Sequence, residues 1–340
     1  MNFRRILLVG STAKGALEFS YANAAAKLGI ATKFFDPGVE EKKYIKGGFW
    51  GRKVQVFMPL DAWVRKMNRD FVLAVRDYAP DLVFIFTNAR ITTGALASVR
   101  AMSPDIKIVW IWPDPLLSLG RDSLLNAPLI DLVGTYSSAT IPVFKQLGFK
   151  NVLWIPLAGD PDMHKQKGIP DDGFTSDISF VGSWRPERDR VMTAICRQLG
   201  KYRIEIHGNS WTRDCKDPVT RKRVLSKGLF EADMAEKFSR SRININVIDD
   251  TNFPAANMRF FEIPTAGGLE LTNHSPEMEE FFKDKEHILF YTDEQDVIEK
   301  IKWALDHPEE CRAIREKGNA LLNNGHTYVQ RLESILQSFT

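Results

Sequence analysis

A chain of 340 residues exceeds what one ordinary hydrophobic core organises and suits two domains of about 150 residues each. With 44% hydrophobic and 26% charged residues it is neither a disordered nor a fibrous chain, and no run approaches the roughly 18 apolar residues of a membrane span. Net charge is +3, yet residues 1–160 hold 20 Lys and Arg against 13 Asp and Glu while the remainder hold 26 against 30, so the front half is the side expected to meet a polyanion or an anionic surface.

Cys196, Cys215 and Cys311 lack metal-ligand spacing and are too few for a disulfide scaffold, which points to a reducing compartment. The apolar run Ile6-Leu7-Leu8-Val9 is too short for a signal peptide, so a cytoplasmic protein without a transmembrane segment is expected.

Residues 5–9 are continuously apolar after Arg5, as in a strand buried on both faces of a parallel sheet. They lead into Gly10-Ser11-Thr12-Ala13-Lys14-Gly15 and an alanine-rich helical stretch ending at Gly29. Strand, glycine turn and helix in that order can offer backbone N–H groups to an anion, which makes Gly10, Ser11 and Thr12 candidates for an acceptor or phosphate loop. The alternative is a plain tight turn, because the loop is not a Walker A sequence and lacks the middle glycine of the dinucleotide fingerprint.

A second strand at 31–35 precedes residues 41–53, where Lys42, Lys43, Lys46, Arg52 and Lys53 alternate with Tyr44, Phe49 and Trp50 among three glycines. This irregular segment is either a solvated loop or a mobile acceptor-binding flap. Residues 60–78 then show helical periodicity, 81–86 a buried strand, 92–102 a helix, and 106–112 a strand ending at Pro113-Asp114-Pro115. Strands at 132–135 and 152–155, with a helix at 138–147 between them, close the first half. Such alternation predicts a doubly wound parallel sheet, with ligands beyond the carboxyl ends of strands, where Gly10-Ser11, Thr87-Asn88 and Asp114 fall.

Proline, glycine and aspartate break the periodicity over 158–176, which reads as a hinge between a domain of residues 1–157 and one of residues 177–326. Asp160-Pro161-Asp162 in it matches a carboxylate pair that can hold a divalent metal, but two solvated charges are the simpler reading and no metal is assigned. The second half starts as the first did, with a strand running into Gly182-Ser183 and an Arg-rich helical start that includes Arg185. Strands at 203–207 and 242–248 and a helix at 231–239 follow.

Residues 257–273 read as loop, short helix, paired-glycine stop at Gly267-Gly268, and strand. Arg259 and Glu262 stand three apart, so on a helix they share one face and look outward together while Phe260, Phe261 and Ile263 pin the helix to a sheet. Beyond this, Ser275-Pro276, Thr292-Asp293-Glu294-Gln295 and Thr327-Tyr328-Val329-Gln330 are helix starts, the last opening a C-terminal helix over 327–340 that can cross back to the first domain.

A cation for a diphosphate and a carboxylate for ribose hydroxyls are what a nucleotide-sugar needs, and Arg259 and Glu262 suit those tasks. For a base toward an acceptor hydroxyl the candidates are Asp114 and His207, each at a predicted strand end.

The chain resembles the CgeB-like glycosyltransferases, within the wider GT-B group, in Asn257-x-Arg259-x-Phe261-Glu262, Gly267-Gly268-x-x-Leu271-Thr272, Glu277-x-x-x-x-Phe282 and His326-Thr327-Tyr328-x-x-Arg331. Phe180-Val181-Gly182-Ser183, Leu157-Ala158-x-Asp160-Pro161 and Trp112-x-Asp114 add to it. The resemblance implies a GT-B fold, two Rossmann-like α/β domains facing a central cleft. It also implies transfer of a sugar, usually without a metal and with no cofactor beyond the UDP- or GDP-linked co-substrate. Its donor residues would be Gly182, Ser183, Arg185, Asn257, Arg259, Glu262, Gly267, Gly268 and Thr272. The acceptor, whether glycan, lipid-linked glycan, protein or modified nucleic acid, stays open. The group's Glu-x7-Glu pair would end at Glu262, but its first member falls on Pro254, which leaves a retaining or inverting outcome open; Glu262 and Glu270 match the spacing only literally. A non-catalytic nucleotide-binding protein and a two-domain sugar epimerase are the competing readings.

Overall fold

The computed structural model describes residues 3–45, 48–57, 61–87, 89–120, 124–164 and 173–339; Lys46, Gly47, Leu60, Asn88 and the hinge positions 165–172 lie outside the described residues. The chain divides into two compact units, Met1–Pro156 with Arg331–Thr340, and Leu157–Gln330.

Unit 1 is a six-stranded parallel sheet of β1 (Arg5–Val9), β2 (Ala31–Phe35), β3 (Leu82–Phe86), β4 (Lys107–Trp112), β5 (Leu132–Thr135) and β6 (Val152–Trp154), in the order β2-β1-β3-β4-β5-β6. The five residues of β3, Leu-Val-Phe-Ile-Phe, are all buried because helices cover both sheet faces. Trp110 packs against Trp112 at 5.0 Å and Phe149 at 5.3 Å between ring centroids, in one core with Phe144 and the apolar face of the helix Asp61–Tyr78. Of residues 41–53, expected to be an irregular loop or flap, 41–42 end the helix Pro37–Lys42 and 48–53 lie in the helix Gly48–Phe57, with turn and coil over 43–45. The first of these helices starts on Asp36, whose carboxylate accepts from Val39 N at 3.0 Å, with Pro37 as its first residue.

Unit 2 repeats the plan with β7 (Ser176–Val181), β8 (Ile204–His207), β9 (Val224–Ser226), β10 (Ser241–Asn246), β11 (Glu270–Asn273) and β12 (Leu289–Tyr291), ordered β12-β11-β10-β7-β8-β9. Strand order reverses between β1 and β3 in unit 1 and between β7 and β10 in unit 2, and at such a switch the connecting turns diverge to leave a crevice. Asp293, not Thr292, caps the helix Glu294–Asp306, accepting from Gln295 N and Asp296 N at 2.9 Å. Ser275 makes no side-chain cap to the short helix Pro276–Glu279. The three cysteines are free and buried, and burial pushes each thiol up to about 11. No helix of the described residues is long and apolar enough to cross a membrane.

Candidate functional site

In unit 2 the reversal of strand order falls at the end of β7, where Val181 runs into Gly182-Ser183-Trp184-Arg185 and the helix Pro186–Gln198 begins. Arg188 in its first turn folds back over this loop, donating from Nη1 to Ser183 O at 2.9 Å and from Nη2 to Asp249 Oδ2 at 3.1 Å. Its Nε lies 3.0 Å from Asp249 Oδ1 but off the line of a hydrogen bond. Asp249, just past β10, is 8% exposed, and burial pushes its carboxyl up against the pull of Arg188 and Arg185. Arg185 is largely exposed, 3.8 Å from the same carboxylate.

Arg259 opens the helix Arg259–Thr265, donates from Nε to Val181 O at 2.9 Å and pairs through Nη1 with Glu262 one turn on. Three guanidiniums thus lie about the Gly182-Ser183 turn against two carboxylates, Asp249 and Glu262. Burial lowers the Arg188 pKa, and the charges of Arg185 and Arg259 add to that while Asp249 opposes it. An anion bound here would relieve the repulsion among the arginines, and a diphosphate presents oxygens that planar guanidiniums meet in pairs.

Glu262 does not look outward as expected. The helix is buried on every side from Phe260 to Thr265, leaving it no solvent face, and Glu262 is enclosed between Arg259 and His164, whose Nε2 is 3.6 Å away. His164 ends a turn in which Asp160 Oδ1 accepts from Asp162 N at 3.0 Å and Met163 N at 3.2 Å, so the Asp160 carboxylate is used in capping that turn.

A buried amide network supports this helix. Asn257 and Asn246 exchange hydrogen bonds at 3.0 and 2.9 Å, and Asn246 Nδ2 also donates to Glu270 Oε1 at 2.8 Å. Burial, with the nearby Glu262 charge adding and the Asn246 bond opposing, raises the Glu270 carboxyl well above its ordinary range. The literal Glu-x7-Glu spacing, set aside as a coincidence of sequence, therefore brings two buried carboxylates into electrostatic range.

Gly267, Gly268 and Thr272 are enclosed, not open to a ligand. Gly267 takes a left-handed φ of 79° to end the helix, and a Cβ on Gly268 would sit 2.7 Å from Asn244 Nδ2 and 2.9 Å from Phe238 O. We expect Gly268→Ala to cost about 1–3 kcal/mol, read by chemical denaturation, because neither neighbour can withdraw without breaking its own hydrogen bond. Thr272 is fully buried within β11.

His207 ends β8 but is 6% exposed, with Nδ1 2.9 Å from Ser226 Oγ and Nε2 3.6 Å from Glu205 Oε2; burial first, then Lys237, lowers its pKa. These neighbours tie the ring into the packing beneath the strand end, which does not fit the task of a base.

In unit 1, the anion loop expected at Gly10, Ser11 and Thr12 has its N–H groups committed. Gly10 N donates to Phe35 O at 3.1 Å, Ser11 N to Glu18 Oε1 at 2.5 Å and Thr12 N to Asp36 Oδ2 at 2.8 Å. Carboxylates occupy the places a phosphate would need. Asp114 follows β4, half-buried, and burial raises its carboxyl pKa.

Arg188, Asp249, His164 and Asn246 were not singled out from sequence. The signal for the first two was an arginine in the first turn after Gly-Ser, and an aspartate just past a strand of the same sheet.

Residues 187–337 match the family model described as glycosyl transferase-like. The chain is 20% identical over 296 residues to the spore protein CgeB of Bacillus subtilis (strain 168), covering 78% of this chain and 88% of that one. Among solved structures, Anabaena Alr3699/HepE in complex with UDP and glucose superposes with a TM-score of 0.65 at 14% identity over 99% of each chain. A UDP-forming α,α-trehalose-phosphate synthase from Burkholderia xenovorans, in complex with glucose-6-phosphate, gives 0.67 at 11% identity over 98% of this chain and 99% of that chain. A glycosyltransferase from Rickettsia africae ESF-5 gives 0.66 at 12% identity over 100% and 98%. The sequence resemblance to CgeB-like glycosyltransferases and the GT-B fold are both borne out.

Proposed function

From a chain of GT-B fold similar to the CgeB-like glycosyltransferases, we propose an enzyme that moves a sugar from a nucleoside-diphosphate sugar to an acceptor hydroxyl, with unit 2 as the donor unit. The observation that carries the reading is the trio Arg185, Arg188 and Arg259 about Gly182-Ser183. Arg188 and Arg259 are each held by a backbone carbonyl and a carboxylate, so they meet the diphosphate without losing further side-chain freedom. The negative charge that develops on the leaving diphosphate is then met by groups already in place.

In this reading Glu262 fixes Arg259, and Asp114 takes the acceptor proton, its half-buried carboxyl being a stronger base than an exposed aspartate. Arginines carry the charge work, so no metal is assigned. The HepE complex with UDP and glucose favours a UDP-linked hexose as the first donor to try, with GDP-linked sugars second.

The deciding test is incubation with UDP-glucose and chromatography of the products. We expect slow hydrolysis to UDP and glucose even without acceptor. Conversion to another UDP-sugar with the nucleotide uncleaved would instead identify an epimerase, and binding without any cleavage a nucleotide-binding protein.

A further inference from the structure

The second switch point, between β1 and β3 in unit 1, opens into a cavity of about 470 Å³, within the roughly 300–1,000 Å³ of small-molecule sites. Its walls carry the carboxylates of Glu18, Asp36 and Glu41 and the cations Lys42 and Arg90. Arg90 Nη1 lies 3.1 Å from Glu41 Oε2, so its charge is already matched. Thr87 and Arg90, also on the wall, hold left-handed backbone at φ 46° and 50°, a strained conformation for non-glycine residues.

The chemistry of the wall is that of an acceptor of hydrogen bonds. The N–H groups of Ser11 and Thr12 are taken by Glu18 and Asp36, so the loop has lost its anion-binding character. Glu18 is 6% exposed and is held by the Ser11 N–H at 2.5 Å, its Oε1 filling the space that a Cβ on Gly10 would need. Burial raises the Asp36 pKa, but the Thr12 hydroxyl and the N–H groups of Thr12, Val39 and Gly38 outweigh it, so this side chain stays an anion. Glu41 and Arg90 match each other, so a phosphate or carboxylate entering here would face the carboxylates of Glu18 and Asp36 against the single cation Lys42. Sugar hydroxyls would instead donate to the oxygens on the wall. The positive excess of the front half therefore does not describe this cavity.

We propose that the unit 1 cavity binds an uncharged sugar through its hydroxyls and discriminates against phosphorylated and carboxylated sugars. That the bound sugar serves as acceptor rests on the glycosyl-transfer reading; the binding itself does not.

The test is saturation-transfer NMR on the full chain without nucleotide, using three matched pairs. These are methyl glucoside with glucose 6-phosphate, mannose with mannose 6-phosphate, and galactose with galacturonic acid. We expect at least one neutral sugar to bind, and its anionic counterpart to bind at least tenfold more weakly. Glu18→Gln keeps an oxygen for Ser11 N–H but removes charge, and should narrow that gap at least threefold. Equal or tighter binding of the anionic member, or no binding by any of the six, overturns the proposal. Should Glu18→Gln fail to fold, the wild-type comparison decides alone. UDP-glucose cleavage by a protein that fails this test would sink the cavity and leave the donor reading intact; sugar binding without cleavage would do the reverse.

Discussion

Arg188→Ala is expected to weaken UDP binding at least tenfold and to lower the unfolding free energy by about 3–5 kcal/mol, the cost of leaving a buried carboxylate without its partner. The affinity loss follows from removing a charge-assisted contact worth about 1.5–3 kcal/mol. The stability loss follows from Asp249, 8% exposed, whose buried carboxyl would be left with only the largely exposed Arg185 nearby at 3.8 Å. The two effects separate in a double variant. Adding Asp249→Asn should restore most of the stability, measured by denaturant titration, while calorimetry still finds weak UDP binding. Should Arg188→Ala bind UDP like the parent chain, the donor site would lie elsewhere.

Asp114→Asn is expected to lower turnover by about 10²–10⁴-fold, the usual contribution of a positioned base, with nucleotide affinity unchanged. The amide keeps the shape of the carboxyl but cannot accept the proton. Burial raises the Asp114 pKa above its ordinary 3.8, and the basic form is the deprotonated one. The acid limb of a kcat/KM profile should therefore fall as pH drops through a value above 3.8, and that limb should vanish from the residual activity of Asp114→Asn. Undiminished turnover in the variant removes Asp114 from the mechanism.

Most of the architecture could be read from runs such as Leu82-Val83-Phe84-Ile85-Phe86, where continuous apolarity marks a strand covered on both faces. Part of residues 41–53 was misread as irregular because the glycines were weighed above two helix signals: Asp36-Pro37 announces the helix Pro37–Lys42, Asp36 accepting from Val39 N, and the helix Gly48–Phe57 runs through Gly51. β10 was harder. Its Ser-Arg-Ile-Asn-Ile-Asn alternation resembles a half-exposed strand, yet Asn244 and Asn246 are 1% and 2% exposed, because the polar side chains are satisfied inside by Ser179, Asn257 and Glu270. Periodicity reports which side chains differ, not which face meets water. The same gap hid the burial of Glu262: spacing placed it on one face with Arg259, but only tertiary packing decides whether that face is covered.

The chain leaves unit 1 at Pro156 and re-enters it at Arg331, so unit 2 is a cassette inserted in one piece. Its two ends are stitched together, Gly159 N donating to His326 O at 2.9 Å and Tyr328 N to Gly159 O at 3.2 Å. The flanking ends in unit 1 are also joined, by Arg331 Nε donating to Pro156 O at 2.9 Å. Entry and exit this close are what insertion of one domain into another requires. Unit 2 of a relative could therefore be grafted as a single gene segment between positions 156 and 331, without cutting a strand of either sheet, while the host sheet is kept.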